Sequence, residues 1–177
     1  TASHTCSFGS ADDSYAFRMM DIFKKSEINF ISCPTENVYL QGRQDTYPKR
    51  RGLTRVKEFI EYGINVAFAQ DSINDPWYPM GNGNMMNILD NGIHLAQIMS
   101  SDDVKTNFDL ITYNGARCMN IQDSYGLEVG KAANFIVLNE DSVYEAIRKR
   151  VDVLASVRNG DFLFRRKEMA YSIPLSL

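Results

Sequence analysis

Only two histidines occur in the 177 residues, and one of them, His4, ends the small-residue run "TASH". Imidazole is the side chain whose ordinary pKa suits proton handling near neutrality. His4 therefore reads either as a proton-handling or hydrogen-bonding group or as a structural residue. Asp71 follows the apolar stretch "INVAFA" and Gln70. A carboxylate at a strand's exit serves as a metal ligand or general base, or else caps the next turn. Trp77, the single tryptophan, lies in "DPWYP". A rigid aromatic there either stacks on a flat ring or anchors its loop on the rim of the fold.

Other reactive residue types read more plainly. His94, in "NGIHLAQIM", falls in an apolar helical pattern and is expected to pack. Cys6, Cys33 and Cys118 form no paired framework and no Cys-x-x-Cys. They read as small buried groups rather than ligands, in a reducing, cytoplasmic setting. Lys49, Arg50 and Arg51 precede a helix start, where positive charge opposes the helix dipole. They form either a cluster with acidic partners, such as across a subunit interface, or a solvated turn. Residues 36–42, "ENVYLQG", share the spacing of a tag-removal protease site. They run without a break from the preceding strand into the next segment and are part of the protein. Asn37 and Gln41 there approach a substrate or hydrate a loop.

These residues need elements to position them. "DDSYAFRMMDIFKKSE" places Tyr15, Met19, Ile22 and Phe23 at helical spacing, with acidic residues first and Lys24 and Lys25 last, as the helix dipole favours. "INFISCP" reads as a buried strand stopped by Pro34, followed by a polar loop that contains residues 36–42. "LTRVKEFIEYG" reads as a helix burying Leu53, Val56 and Ile60, with Gly63 as its stop. "INVAFA" repeats the buried strand. Helices are expected over roughly 84–99 and 104–119. Strands alternating with helices imply a parallel sheet, with ligands at the carboxyl ends of the strands. That rule singles out His4, the segment after Cys33, and "AQDSINDPWYP". After Asn120 the texture changes to strand and turn, with Asn159–Gly160 a strong hairpin signal. The boundary falls near Gln122.

Bulk composition bounds the function. A net charge of −3 gives no global attraction to nucleic acid or anionic membrane, and no apolar run is long enough to span a bilayer.

Four stretches, "TASHT", "LQGRQDTYPKRRGLTRVKE", "GINVAFAQDSINDPWYPMGNGNM" and "YGLEVGKAANFIVL", together resemble the bacterial, metal-dependent cytosine deaminases of the amidohydrolase superfamily. The resemblance implies a (β/α)8 TIM barrel with one divalent metal ion, Fe2+ or Zn2+, followed by a small β-sandwich segment. It makes Asp71 the metal ligand that shuttles a proton from the metal's water, His4 the residue that holds and polarises the hydroxide, and Trp77 a packing surface for the pyrimidine. The metal lowers the pKa of its water, and the resulting hydroxide attacks the amine-bearing ring carbon to release ammonia.

The same resemblance requires a His-x-His pair, a further His, a catalytic Glu and a base-gripping Gln, none of which this chain supplies. It is thus expected to be the C-terminal portion of such an enzyme, with the last barrel units over 1–122 and the β segment over 123–177. Alone it should hold metal incompletely, fail to turn over, and associate with copies of itself or with the missing part of the barrel. Ser72 departs from the acidic residue that the best-known members carry beside the metal Asp. Its neutrality points to substituted pyrimidines, or to another cyclic amidine such as an aminotriazine or isoguanine. A non-catalytic barrel fragment acting as an interaction module is the remaining alternative.

Overall fold

The computed structural model describes residues 1–100 and 102–166. Strands β1 (Ala2–Ser3), β2 (Phe30–Ser32) and β3 (Val66–Phe68) form one parallel sheet in the order β1-β2-β3. Ser3 pairs with Ile31 and Ile31 with Ala67. The strands thus end nearly level, and the residues just beyond them emerge together.

Helix α1 (Asp13–Lys25) joins β1 to β2. It starts where the Asp12 carboxylate accepts the Tyr15 N–H at 2.9 Å, a cap that meets one of the four unpaired donors of a helix start. Its buried face is not the expected one. Ala16 and Met20 are buried, while Tyr15 and Ile22 are 43% and 52% exposed. An aromatic cluster sets this rotation: Phe23 lies 5.0 Å from Phe30, which stacks on Phe59 at 4.3 Å. Drawing Phe23 onto the sheet turns Ile22 and Tyr15 outward.

Residues 34–40, expected as loop, form helix α2 (Pro34–Leu40). Pro34 does end the strand, but it also occupies the first helical turn, where its missing N–H leaves no bond unmade. The stretch "ENVYLQG" is therefore mostly helical, with Glu36 and Asn37 buried. Helix α3 (Val56–Glu61) follows. It buries Val56 and Phe59, and Ile60 is 39% exposed, which corrects the expected face.

Helix α4 (Met85–Ala96) starts at Asn84, whose side chain accepts the Met86 N–H at 3.0 Å. Its Gly92 lies directly on Phe68 of β3, where an added Cβ would come within 2.4 Å of the ring. His94 does not pack as expected. Its side chain is 54% exposed, and Nδ1 meets the Asp90 carbonyl of the preceding turn at 2.7 Å. The expected single helix over 104–119 is broken into α5 (Asp103–Asn107), a 3-10 turn (Phe108–Ile111) and α6 (Tyr113–Cys118). The break is at Thr112, whose φ of −129° and ψ of −97° are not helical and whose hydroxyl donates to Phe108 O at 2.8 Å. Helix α6 underpins the amino ends of the strands. Asn114 Nδ2 donates to Val66 O at 2.9 Å, and Asn65 Nδ2 donates to Asn29 Oδ1 at 2.9 Å.

Strands β4 (Phe135–Leu138), β5 (Val153–Arg158) and β6 (Asp161–Arg165) form an antiparallel sheet, with the expected Asn159–Gly160 turn between the last two. Helix α7 (Val143–Lys149), which the strand-and-turn reading passed over, interrupts it. Ala146 and Ile147 of α7 join the same buried cluster as the parallel sheet. Arg150 Nε donates to Asp90 Oδ2 of α4 at 2.8 Å. Residues 167–177 of the expected β segment lie outside the described residues. Among the described residues no helix is long and apolar enough to cross a membrane.

Candidate active site

His4 is the first residue beyond β1 and Asp71 lies just beyond β3, both at the carboxyl ends of the strands. His4 Nε2 and Asp71 Oδ2 approach to 3.2 Å, and the two side chains remain 42% and 40% exposed. The pair is thus presented to solvent from a buried frame. Both backbones are left-handed, with φ of 61° at His4 and 66° at Asp71. Each such residue costs about 1–3 kcal/mol and persists only where its surroundings over-determine it. His4 is held by its N–H to Ile31 O at 2.8 Å, and the adjoining Thr5 hydroxyl bonds Thr54 Oγ1 at 2.9 Å. Asp71 is held through Ser72, whose N–H donates to Glu36 Oε2 at 3.0 Å.

Helix α2 supplies the frame. Asn37, 2% exposed, faces His4, with Nδ2 and the ring Nδ1 2.8 Å apart. Its Oδ1 accepts the Cys33 N–H at 3.2 Å. Asn37 therefore contacts a site residue and does not hydrate a loop. Gln41, at the C-terminal end of α2, is exposed. Glu36 and Asn37 were missed as frame residues because an amide and an ordinary glutamate carry no signal of chemistry in one sequence.

Cys33, directly after β2, is buried as expected, yet it sits within this site. His4, Cys33 and Asp71 each offer a donor atom, all within 4.8 Å of one another. Burial, and then the negative charges of Asp71 and Glu36, push the Cys33 thiol up to about 12. The thiolate is the form that ligates metals, and a neighbouring cation favours it. Cys6 and Cys118 lie outside this group and are only half-buried.

The segment after Asp71 forms one wall. Ser72 is 6% exposed and touches Glu36 and Asp75 rather than open solvent. Gly81 lets the chain return against it, since a Cβ there would lie 2.0 Å from Ser72 O. Trp77 is 67% exposed and is not a rim anchor. Asp75 Oδ1 accepts the N–H groups of Trp77 and Tyr78 at 2.9 and 3.0 Å, which holds the indole out from the loop. The basic cluster does not oppose a helix dipole, because α3 starts only at Val56. Arg50 pairs with Asp45 at 3.0 Å, Lys49 Nζ donates to Arg43 O, and Arg51 Nη1 donates to Leu95 O.

The donor set bears on a metal. A carboxylate that is 40% exposed beside an imidazole fits a divalent cation of borderline hardness. Among the described residues His4, Cys33 and Asp71 are the group that could hold such an ion, with the partly exposed Asp71 carboxylate as its hardest donor.

A family model described as "Amidohydrolase family" matches residues 1–164. The chain belongs to the amidohydrolase family. Its α/β fold superposes on 5-methylcytosine deaminase from Klebsiella pneumoniae, liganded with 5-fluorocytosine, with a TM-score of 0.94 at 48% identity. The match covers 98% of this chain and 42% of that one. N-isopropylammelide isopropyl amidohydrolase of Pseudomonas sp. (strain ADP) is 30% identical, over 93% of this chain and 38% of the relative. Pterin deaminase of Rhizobium rhizogenes is 26% identical, again over 93% of this chain and 38% of the relative. The amidohydrolase chain thus spans roughly two fifths of the length of these relatives. Its parallel sheet is an open sector of their TIM-barrel fold, and the open sheet is what a sector requires.

Proposed function

We propose that this amidohydrolase is the C-terminal portion of a metal-dependent deaminase that hydrolyses the exocyclic amine of cytosine-type pyrimidines, with 5-substituted cytosines as preferred substrates. The observation that carries the reading is the His4–Asp71 pair, 3.2 Å apart across two strand ends. Residues 1–122 are the last barrel units, and 123–177 belong to a small β domain.

The roles follow from the atoms. Asp71, partly exposed beside His4, takes a proton from the attacking water and returns it toward the departing amine. His4 aims Nε2 at the same region and donates to the oxygen where charge develops. Trp77 offers an exposed flat face at the mouth, suited to stacking on a planar ring. Asp71 would help to hold a divalent ion, which would supply Lewis-acid activation of the attacking water. Ser72 adds no charge of its own beside Asp71, and the similarity to a 5-methylcytosine deaminase supports a site that accepts a 5-substituent.

The test uses the full-length protein loaded with Fe2+ or Zn2+ and compares kcat/KM for cytosine, 5-methylcytosine, N-isopropylammelide, pterin and isoguanine. The two pyrimidines are expected to lead, with 5-methylcytosine first. Leadership by the triazine or the pterin would instead favour the second reading, an aminohydrolase of another cyclic amidine, which the 30% identity to N-isopropylammelide isopropyl amidohydrolase supports. Ser72→Asp is expected to lower the 5-methylcytosine-to-cytosine ratio, because a new charge would crowd Glu36 and Asp75. An unchanged ratio removes Ser72 from specificity.

A further inference from the structure

The geometry points to Asn37 as the residue that fixes which ring nitrogen of His4 carries the proton, and hence as a positioning residue for the proposed reaction. Its catalytic meaning rests on the deaminase reading; its structural content does not. A backbone N–H only donates, and that fixed point sets the direction of the hydrogen bonds from Cys33 through Asn37 to His4. The Cys33 N–H lies 3.2 Å from Asn37 Oδ1, which identifies that atom as the oxygen. The other amide atom is then Nδ2, a donor, and it faces His4 Nδ1 at 2.8 Å. Nδ1 must accept, so the proton of the neutral ring sits on Nε2. Nε2 in turn lies 3.2 Å from Asp71 Oδ2, an acceptor. Reversing the amide would set two donors against each other at Cys33 and break the relay at its first step.

The direction of the relay has a chemical consequence. A ring that carries its proton on Nε2 presents a donor to the reacting region, not a lone pair. His4 in this state stabilises oxygen-centred negative charge and does not serve as a ligand through Nε2. Asn37 is 2% exposed, so its amide has little access to water and is held by Cys33 and His4. Partners that orient the far nitrogen of a functional histidine are a recurring device. Here the partner is an amide, which allows one tautomer only.

The experiment is ring-15N NMR of histidine in the full-length protein, with the His4 signals identified by their loss in His4→Gln. The expected wild-type spectrum has Nδ1 unprotonated and Nε2 protonated. Asn37→Asp keeps the acceptor for Cys33 and turns the donor facing Nδ1 into an acceptor. Nδ1 should then become protonated, and kcat should fall by about tenfold or more with KM nearly unchanged, the size of a misdirected proton-handling group. A wild-type Nδ1 that carries the proton overturns the inference, whether or not the variant folds. So do signals that stay in place in Asn37→Asp. The expected spectrum in a protein that turns over no aminopyrimidine would sink the deaminase reading and leave the assignment of Asn37 standing.

Discussion

At the scale of single residues, His4 and Asp71 share an uncommon left-handed backbone. Asp71 holds a left-handed backbone that Asn also tolerates. Asp71→Asn therefore removes charge and proton transfer with the fold kept. We expect kcat to drop about 100- to 10,000-fold, the usual contribution of a general acid–base group. Circular dichroism should match the wild type, and retention of activity within tenfold would contradict the assigned role. Asp75 makes a second prediction. Its carboxyl is held below the usual 3.8 by the N–H of Tyr78, then by that of Trp77 and the Ser72 hydroxyl. A lowered carboxylate pKa means that the loop gains order fully above the ordinary value and loses it as pH falls through the lowered one. Trp77 fluorescence should change in that acid window, and Asp75→Asn should abolish the pH dependence. The places of His4 and Asp71 beyond β1 and β3 were readable because each follows a run of small or apolar residues. Asn37 was not, because its partner lies across another strand and an amide looks alike in a loop or a core.

At the scale of elements, the strands were readable from their apolar runs, and the helix rotations were not. Side-chain periodicity gives a stripe, but which neighbouring stripe turns inward depends on partners. Phe23 and Phe59 meet Phe30 and thereby expose Ile22 and Ile60. Helix α2 was hidden because Pro34 announces a strand's end and a helix's start with the same letter. The contact between α4 and β3 gives a stability test. Gly92→Ala forces a methyl to within 2.4 Å of the Phe68 ring. It should destabilise the protein by about 1–3 kcal/mol, as overpacked cores do, measured by denaturant unfolding. Since Phe68 ends the strand that leads into Asp71, kcat should fall as well. A neutral or stabilising outcome would mean that α4 is free to move outward.

At the scale of the whole molecule, the parallel sheet ends in two edges, β1 and β3, that pair with no further strand among the described residues. Open edges are templates for further strands. Phe162, Leu163 and Phe164 of β6 add apolar surface at 60%, 63% and 47% exposure. The 177-residue chain by itself is expected to elute from gel filtration as an associated species and to show no cytosine turnover, since its own donors do not complete a metal site. A separately supplied N-terminal portion of the protein should restore both a defined size and activity. A well-behaved, active monomer of this chain alone would refute the expectation.

The two ends of the sheet also carry different duties. His4, Cys33 and Asp71 crowd the carboxyl ends, whereas Asn29, Asn65 and Asn114 tie the amino ends to α6. Engineering for heat tolerance and engineering for a new ring can therefore proceed on opposite faces. A library built at the asparagine end should yield sturdier proteins with an unaltered substrate profile, and one built between Ser72 and Trp77 should do the reverse.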